Sequence, residues 1–202
     1  ERCCGMPKLE LGDLQAVKRA ADANIPALVK LIDDGWDIVA PIPSCVLMFK
    51  QELPLMFPDN RDIARVRDAI YDPFEYLMLR HKHDRLKTDF RKPLGNVAYH
   101  VACHLRVQNI GMKTRDVLQL VPDTTVYPIE RCSGHDGTYA VKSEFHETSM
   151  KICRPVVNSV VRANAAHYSS DCPMAGHQIE NGMAGDMKPE HPMSLLRLAY
   201  DI

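Results

Sequence analysis

The tetrapeptide Arg2-Cys3-Cys4-Gly5 returns, with one change, as Arg131-Cys132-Ser133-Gly134. Each copy is followed at nearly equal distance by a further cysteine, Cys45 or Cys172. A match this long-spaced implies duplicated domains rather than a solenoid. The intervals also read alike. In the first, apolar residues recur at helical spacing over 11–32, with Gly35 near the end, and a short apolar strand over 36–43 leads to Cys45. In the second, a helix over 141–164, interrupted by Pro155, precedes a strand over 165–169 and then Cys172.

More chain precedes the second copy. Residues 96–103 read as a buried, Val-rich strand flanked by Gly95 and ending at Cys103-His104. A helix over 114–120 and a strand over 125–129 follow. One complete unit therefore spans 95–202, and 1–60 keeps the later part of a first unit. Residues 61–94 read as a helical connector broken at Pro73. The counterpart of Cys103 is expected upstream of Glu1, so a segment before it would carry a ligand. Strands alternating with helices imply an α/β fold, here two pseudo-symmetric cysteine-rich α/β units with mainly parallel sheets covered on both faces. In such sheets the strand C-terminal ends collect the ligand-binding loops. Cys45, Cys103 and Cys172 each lie just past a strand, and Cys132 follows one by a few residues.

The charge balance removes some functions. A formal net charge of -1 offers no field for nucleic acid or an anionic membrane. No apolar run approaches the roughly 20 residues of a spanning helix, so membrane contact is expected only through a partner. No G-x-G-x-x-G fingerprint or P-loop is present. Seven cysteines in 202 residues make an odd count without the composition of a small secreted scaffold. Metal binding or redox chemistry in a reducing compartment fits better than disulfides. Cys153 reads as a buried structural cysteine. The other six, Cys3, Cys4, Cys45, Cys103, Cys132 and Cys172, form the candidate ligand set, because soft thiolates select iron–sulfur clusters, zinc or copper(I). Gly5 and Gly134 would let the chain turn tightly and bring amide N–H groups toward sulfur.

This pattern resembles the cysteine-rich CCG domain. The resemblance rests on Cys3-Cys4-Gly5, the downstream Pro43-Ser44-Cys45 and Asp171-Cys172-Pro173, and the His-x-x-Cys-His at His100-Val101-Ala102-Cys103-His104. Such domains occur in the B subunit of heterodisulfide reductase and in the C subunit of anaerobic glycerol-3-phosphate dehydrogenase, and residues 43–52 look most like the latter type. The resemblance implies iron–sulfur ligation, of the 4Fe–4S kind, by the six cysteines. It places the doublet on Cys3 and Cys4, with Cys132 alone in the second copy, and the upstream ligand on Cys103. The family's Cys-x-x-Cys falls on Cys45 and Cys172. Met48 and Ala175 replace its last cysteine, and Ser133 replaces the second of the doublet. Neither copy therefore holds the five-cysteine set associated with noncubane clusters. The second site has three thiolates and needs a fourth donor, for which His104, His135 and His177 are the candidates.

Three functions fit the sequence. The first is an iron–sulfur electron-transfer subunit, linking a dehydrogenase or flavoprotein partner to quinone or another carrier, cytoplasmic and peripheral to the inner membrane. The second is a thiol–disulfide reductase of the heterodisulfide type. The third is a structural module with zinc in the second site.

Overall fold

The structure is a computed structural model that describes residues 2–136, 139–185 and 187–202. The fold is α/β with parallel sheets, as the alternation of elements implies. The larger sheet has four strands in the order β4-β3-β5-β6, where β3 is Gly95–His100, β4 is Thr124–Ile129, β5 is His167–Ser170 and β6 is Pro189–Glu190. All its pairings are parallel. The smaller sheet pairs β1 (Ile38–Val39) with β2 (Ile70–Tyr71), also in parallel.

Successive residues of β3 point to opposite faces and each face is covered. Val97 and Tyr99 join a buried cluster with Phe74 of α6 (Pro73–Lys82), Val117 and Leu118 of α8 (Lys113–Leu118), and Leu195 and Ala199 of α11 (Pro192–Tyr200). Ala98 joins the opposite cluster with Val156 and Val160 of α9 (His146–Ala163) and Ile179 of α10 (Pro173–Asn181). A third cluster belongs to the first half. It gathers Met6 of α1 (Met6–Glu10), Val17 and Ile25 of α2 (Leu14–Asp33), Leu47 of α3 (Pro43–Leu47), Leu53 of α4 (Leu53–Met56), and Ile63 and Val66 of α5 (Arg61–Ala69). Full burial of one such aliphatic side chain contributes about 1.5–3 kcal/mol.

Four local expectations are corrected. The strand expected over 36–43 is only β1, because Pro41 and Pro43 lack the N–H a ladder needs; Pro43 instead opens α3. The connector is not helical throughout. Its residues Ile70–Tyr71 form β2, since a residue before proline is driven to extended backbone and Asp72 precedes Pro73. A capping box between Asp72 and Glu75 then starts α6. Pro155 does not interrupt α9; it faces solvent, where the carbonyl it leaves unpaired reaches water. The same helix starts at His146, after a 3-10 turn over Ser143–Phe145. A pseudo-twofold relation between the halves is not confirmed. What they share is an order of elements: strand, cysteine at a helix start, strand, then a helix led by Pro73 or Pro192.

Candidate metal centre

Three of the cysteines stand where the chain turns from strand to helix. Cys45 lies in the first turn of α3, Cys103 opens α7 (Cys103–Arg106), and Cys172 is the N-cap of α10. Helix starts present unpaired N–H groups and the positive end of the dipole, which favour thiolate. Backbone N–H groups reach three sulfurs directly, two of them at helix starts. Gly134 N–H donates to Cys132 Sγ at 3.3 Å. Met6 N–H bonds Cys4, and the N–H groups of Met174 and Ala175 bond Cys172.

The six fall into two groups of three. In the first, the hydrogen bond to Cys45, and then burial, push the Cys4 thiol far up, while that bond lowers Cys45; Cys3 faces both. In the second group, burial and then Cys132 push Cys103 up, with a smaller contribution from Cys172. Burial raises Cys172, and its two backbone donors work against that rise. Cys3, Cys103 and Cys132 are exposed, and Cys103 lines an open groove with Val101, Leu105, Arg106 and Met112.

The loops carrying the motifs are clamped differently. Asn24 of α2 holds the first: its Oδ1 accepts from Arg2 N–H at 2.8 Å, and its Nδ2 donates to the carbonyls of Arg2 and Cys3. In the second, Ser149 Oγ donates to Gly134 O at 2.7 Å and accepts from Gln178 Nε2. Ser133 is buried, and its Oγ accepts from His135 N–H at 3.3 Å, so the hydroxyl serves the turn. The two groups meet through α3 and α7. Gln108 Nε2 donates to Pro43 O at 3.1 Å and to His104 O at 2.8 Å.

The candidate histidines differ in placement. His104 and His135 lie near each other and near Asp136, beside the second group; burial lowers His135. His177 is exposed on α10, with Nδ1 2.9 Å from Glu180 Oε2. Met48 is fully buried and its Cε lies beside Gly5, while Ala175 is buried at the start of α10. Sequence reasoning used His100 only as part of the His-x-x-Cys-His motif and gave it no role. It is fully buried between the strands that lead to Cys132 and Cys172, and burial lowers it to about 4. A histidine ending an otherwise apolar strand was the available signal.

The donor chemistry suits a soft polynuclear centre. Among the described residues, no three or more His, Cys, Asp or Glu side chains are drawn together around a point where one metal ion could sit. A zinc ion, with bonds of about 2.3 Å, needs sulfurs within roughly 4 Å of each other. Zinc in the second site is therefore not supported. An iron–sulfur cluster holds its thiolates further apart.

Parallel strands ending in cysteine-bearing loops define a cysteine-rich α/β domain, and residues 97–180, which include Cys103, Cys132 and Cys172, match the family model described as "Cysteine-rich domain" (CCG). That match covers less than half of the chain. Over 98% of its length it is similar, at 29% identity, to the C subunit of anaerobic glycerol-3-phosphate dehydrogenase from Escherichia coli K12, covering 50% of that protein. It is 26% identical to the B subunit of fumarate reductase (CoM/CoB) from Methanothermobacter marburgensis, over 98% of the chain and 38% of that protein. Lactate utilization protein A of Bacillus cereus is 29% identical over 84% of the chain and 71% of its own length. The chain thus spans about half the length, or less, of the first two relatives.

Proposed function

We propose that this chain is the cluster-bearing part of an iron–sulfur electron-transfer subunit. It would pass electrons between a dehydrogenase or flavoprotein partner and quinone or another carrier. The observation that carries this reading is the sorting of six cysteines into two groups of three, with Cys45, Cys103, Cys132 and Cys172 following strands and backbone N–H groups bonding Cys4, Cys132 and Cys172. Cys3, Cys4 and Cys45 would hold one cluster in a unit over 1–60. Cys103, Cys132 and Cys172 would hold the other in a unit over 95–202, with 61–94 joining them. His104, His135 and His177 are the candidates for a fourth ligand there. The clusters, of 4Fe–4S type, would supply one-electron chemistry. The protein's residues fix the sulfurs and set the potential through burial and N–H donors.

The kind of partner is supported by the relatives, which are named as subunits of a dehydrogenase and a reductase. No helix among the described residues is long and apolar enough to cross a membrane, so membrane association would run through a partner at the cytoplasmic face. Disulfide-cleaving chemistry has less support, since Met48, Ala175 and Ser133 occupy family cysteine positions. Anaerobic purification of the full-length protein, with iron, sulfide and zinc analysis and visible absorption, tests the reading. Brown protein with stoichiometric iron and sulfide is expected. A colourless protein that takes up neither on reconstitution overturns it.

A further inference from the structure

His100 occupies the C-terminal end of the central strand β3, paired with Ile129 on one side and Ser170 on the other. Its ring nitrogens reach two different loops. Nε2 lies 3.0 Å from the carbonyl of Arg131, the residue before Cys132. Nδ1 lies 3.0 Å from Ser170 Oγ, two residues before Cys172. A carbonyl can only accept, so Nε2 carries the proton. Nδ1 then accepts from the Ser170 hydroxyl. This leaves Ser170 Oγ as acceptor for Cys172 N–H at 3.4 Å. Three residues on, the same strand delivers Cys103. One buried imidazole in one tautomer thus ties together all three segments that bear the second thiol group. Ser149 secures only the far side of the Cys132 loop, through Gly134.

We propose that His100 is the positioning residue of the second metal centre, holding the Cys132 and Cys172 loops in register with Cys103. The inference rests on the cluster reading above for what the thiols bind, but the loop geometry can be tested apart from it. The two arms can be cut separately. In His100→Gln the amide nitrogen stands near the place of Nε2, keeping the bond to Arg131 and losing Ser170. In His100→Asn the amide stands near Nδ1, keeping Ser170 and losing Arg131.

Hydrogen exchange by mass spectrometry on the full-length protein, with and without reconstituted iron and sulfide, reads the result. His100→Gln should speed exchange over 170–174 by about tenfold, the effect of one buried hydrogen bond, while 130–134 stays protected. His100→Asn should do the reverse, and residues 2–10 should not change in either. On reconstitution both variants should alter the EPR g-values or midpoint potential of one cluster and leave the other as in the wild type. Unchanged exchange in both loops, or equal acceleration throughout the chain, overturns the proposal. Should both histidine variants fail to fold, Ser170→Ala cuts the same arm by a smaller change, and unaltered exchange over 170–174 would then refute it. If the loops loosen as expected but even the wild type takes up no iron, the cluster reading fails and the positioning role stands.

Discussion

The two motif loops share three of four residues, yet they are built on different supports. Cys3-Cys4-Gly5 runs straight into α1, and Cys4 is buried against Cys45. One amide, Asn24, holds the loop from outside. Cys132-Ser133-Gly134 opens no helix. Its loop is pinned from two sides, by His100 at Arg131 and by Ser149 at Gly134. Where the first loop places a second thiol, the second places a hydroxyl already used by a backbone N–H. On the proposed reading the first site would use its doublet as ligands, whereas the second would rely on the surrounding polar framework to present single thiols.

The largest consequence follows for cofactor loading. A serine hydroxyl is a much poorer ligand for a soft metal than a thiolate, so the first site should hold its cluster more firmly. In the full-length protein, Cys4→Ala should remove most of the EPR signal seen on reduction, and Cys132→Ala should leave much of it. The opposite ranking would show that the second group carries the electron-transfer cluster, and the doublet would lose its significance.

The glycines separate the loops by a steric test. Both have positive φ, 99° at Gly5 and 73° at Gly134. At Gly5 an added Cβ would meet nothing nearer than Val17 Cα at 3.6 Å, so Gly5→Ala should cost only the left-handed backbone, about 1–2 kcal/mol. At Gly134 it would lie 2.2 Å from Ser149 O, so the start of α9 must move as well. Gly134→Ala should cost roughly 3–5 kcal/mol in urea unfolding, in the range of overpacking plus a broken buried hydrogen bond. Equal costs would remove the structural contrast.

Much of this arrangement can be read in the chain, and the limits are physical. The strands β3 and β4 announce themselves by short apolar runs; β5, His167–Ser170, is more polar and starts two residues after the strand expected over 165–169, and the cysteines past these strands follow from the parallel-sheet rule. The pieces β2 and β6 do not. Each has two residues, and Ile70–Tyr71 falls at the end of a helical pattern, where only pairing with β1 decides it. His100 was visible within the His-x-x-Cys-His motif, but its partners Arg131 and Ser170 are distant in sequence. Nothing local says that one ring spans both. The clamps Asn24 and Ser149 are hidden for the same reason, being single polar residues on otherwise amphipathic helices.

The halves also differ in how their Pro-led helices are capped, which gives opposite responses to acid. Asp72 caps α6 through Oδ1, and burial, helped by the charge of Asp171, raises it from 3.8 to about 6. His191 caps α11 by accepting Met193 N–H, and burial lowers it from 6.5. For Asp72 the folded state binds the proton more tightly, so stability rises as pH falls from about 6 toward 3.8. For His191 the unfolded state takes the proton first, so stability falls as pH drops below 6.5. Asp72→Asn keeps a capping oxygen and removes the charge. It should raise stability by about 2–3 kcal/mol at about pH 8, with the gain gone near pH 4. His191→Asn should flatten the acid-induced loss instead. Parallel pH profiles for the two variants would show that the caps are electrostatically equivalent.

The smallest expected contrast concerns the clamps themselves. Ser149 is fully buried, and truncating it strands the carbonyl of Gly134 and the amide of Gln178 away from water. A stranded buried group costs about 1–3 kcal/mol, so Ser149→Ala should cost ~2 kcal/mol. Asn24 makes more hydrogen bonds, but its partners belong to Arg2 and Cys3, both exposed, so water can replace it. Asn24→Ala should therefore cost only about 1 kcal/mol, at the low end for a hydrogen bond whose partners remain solvated. The loss should appear locally. Alkylation of the exposed Cys3 should change as its loop detaches, while Cys132 reacts as in the wild type; Ser149→Ala should reverse that pattern. Urea unfolding and timed alkylation measure both quantities on the same two variants. A larger cost for Asn24→Ala than for Ser149→Ala would mean that the first loop, despite its exposed edge, is the more tightly built of the two.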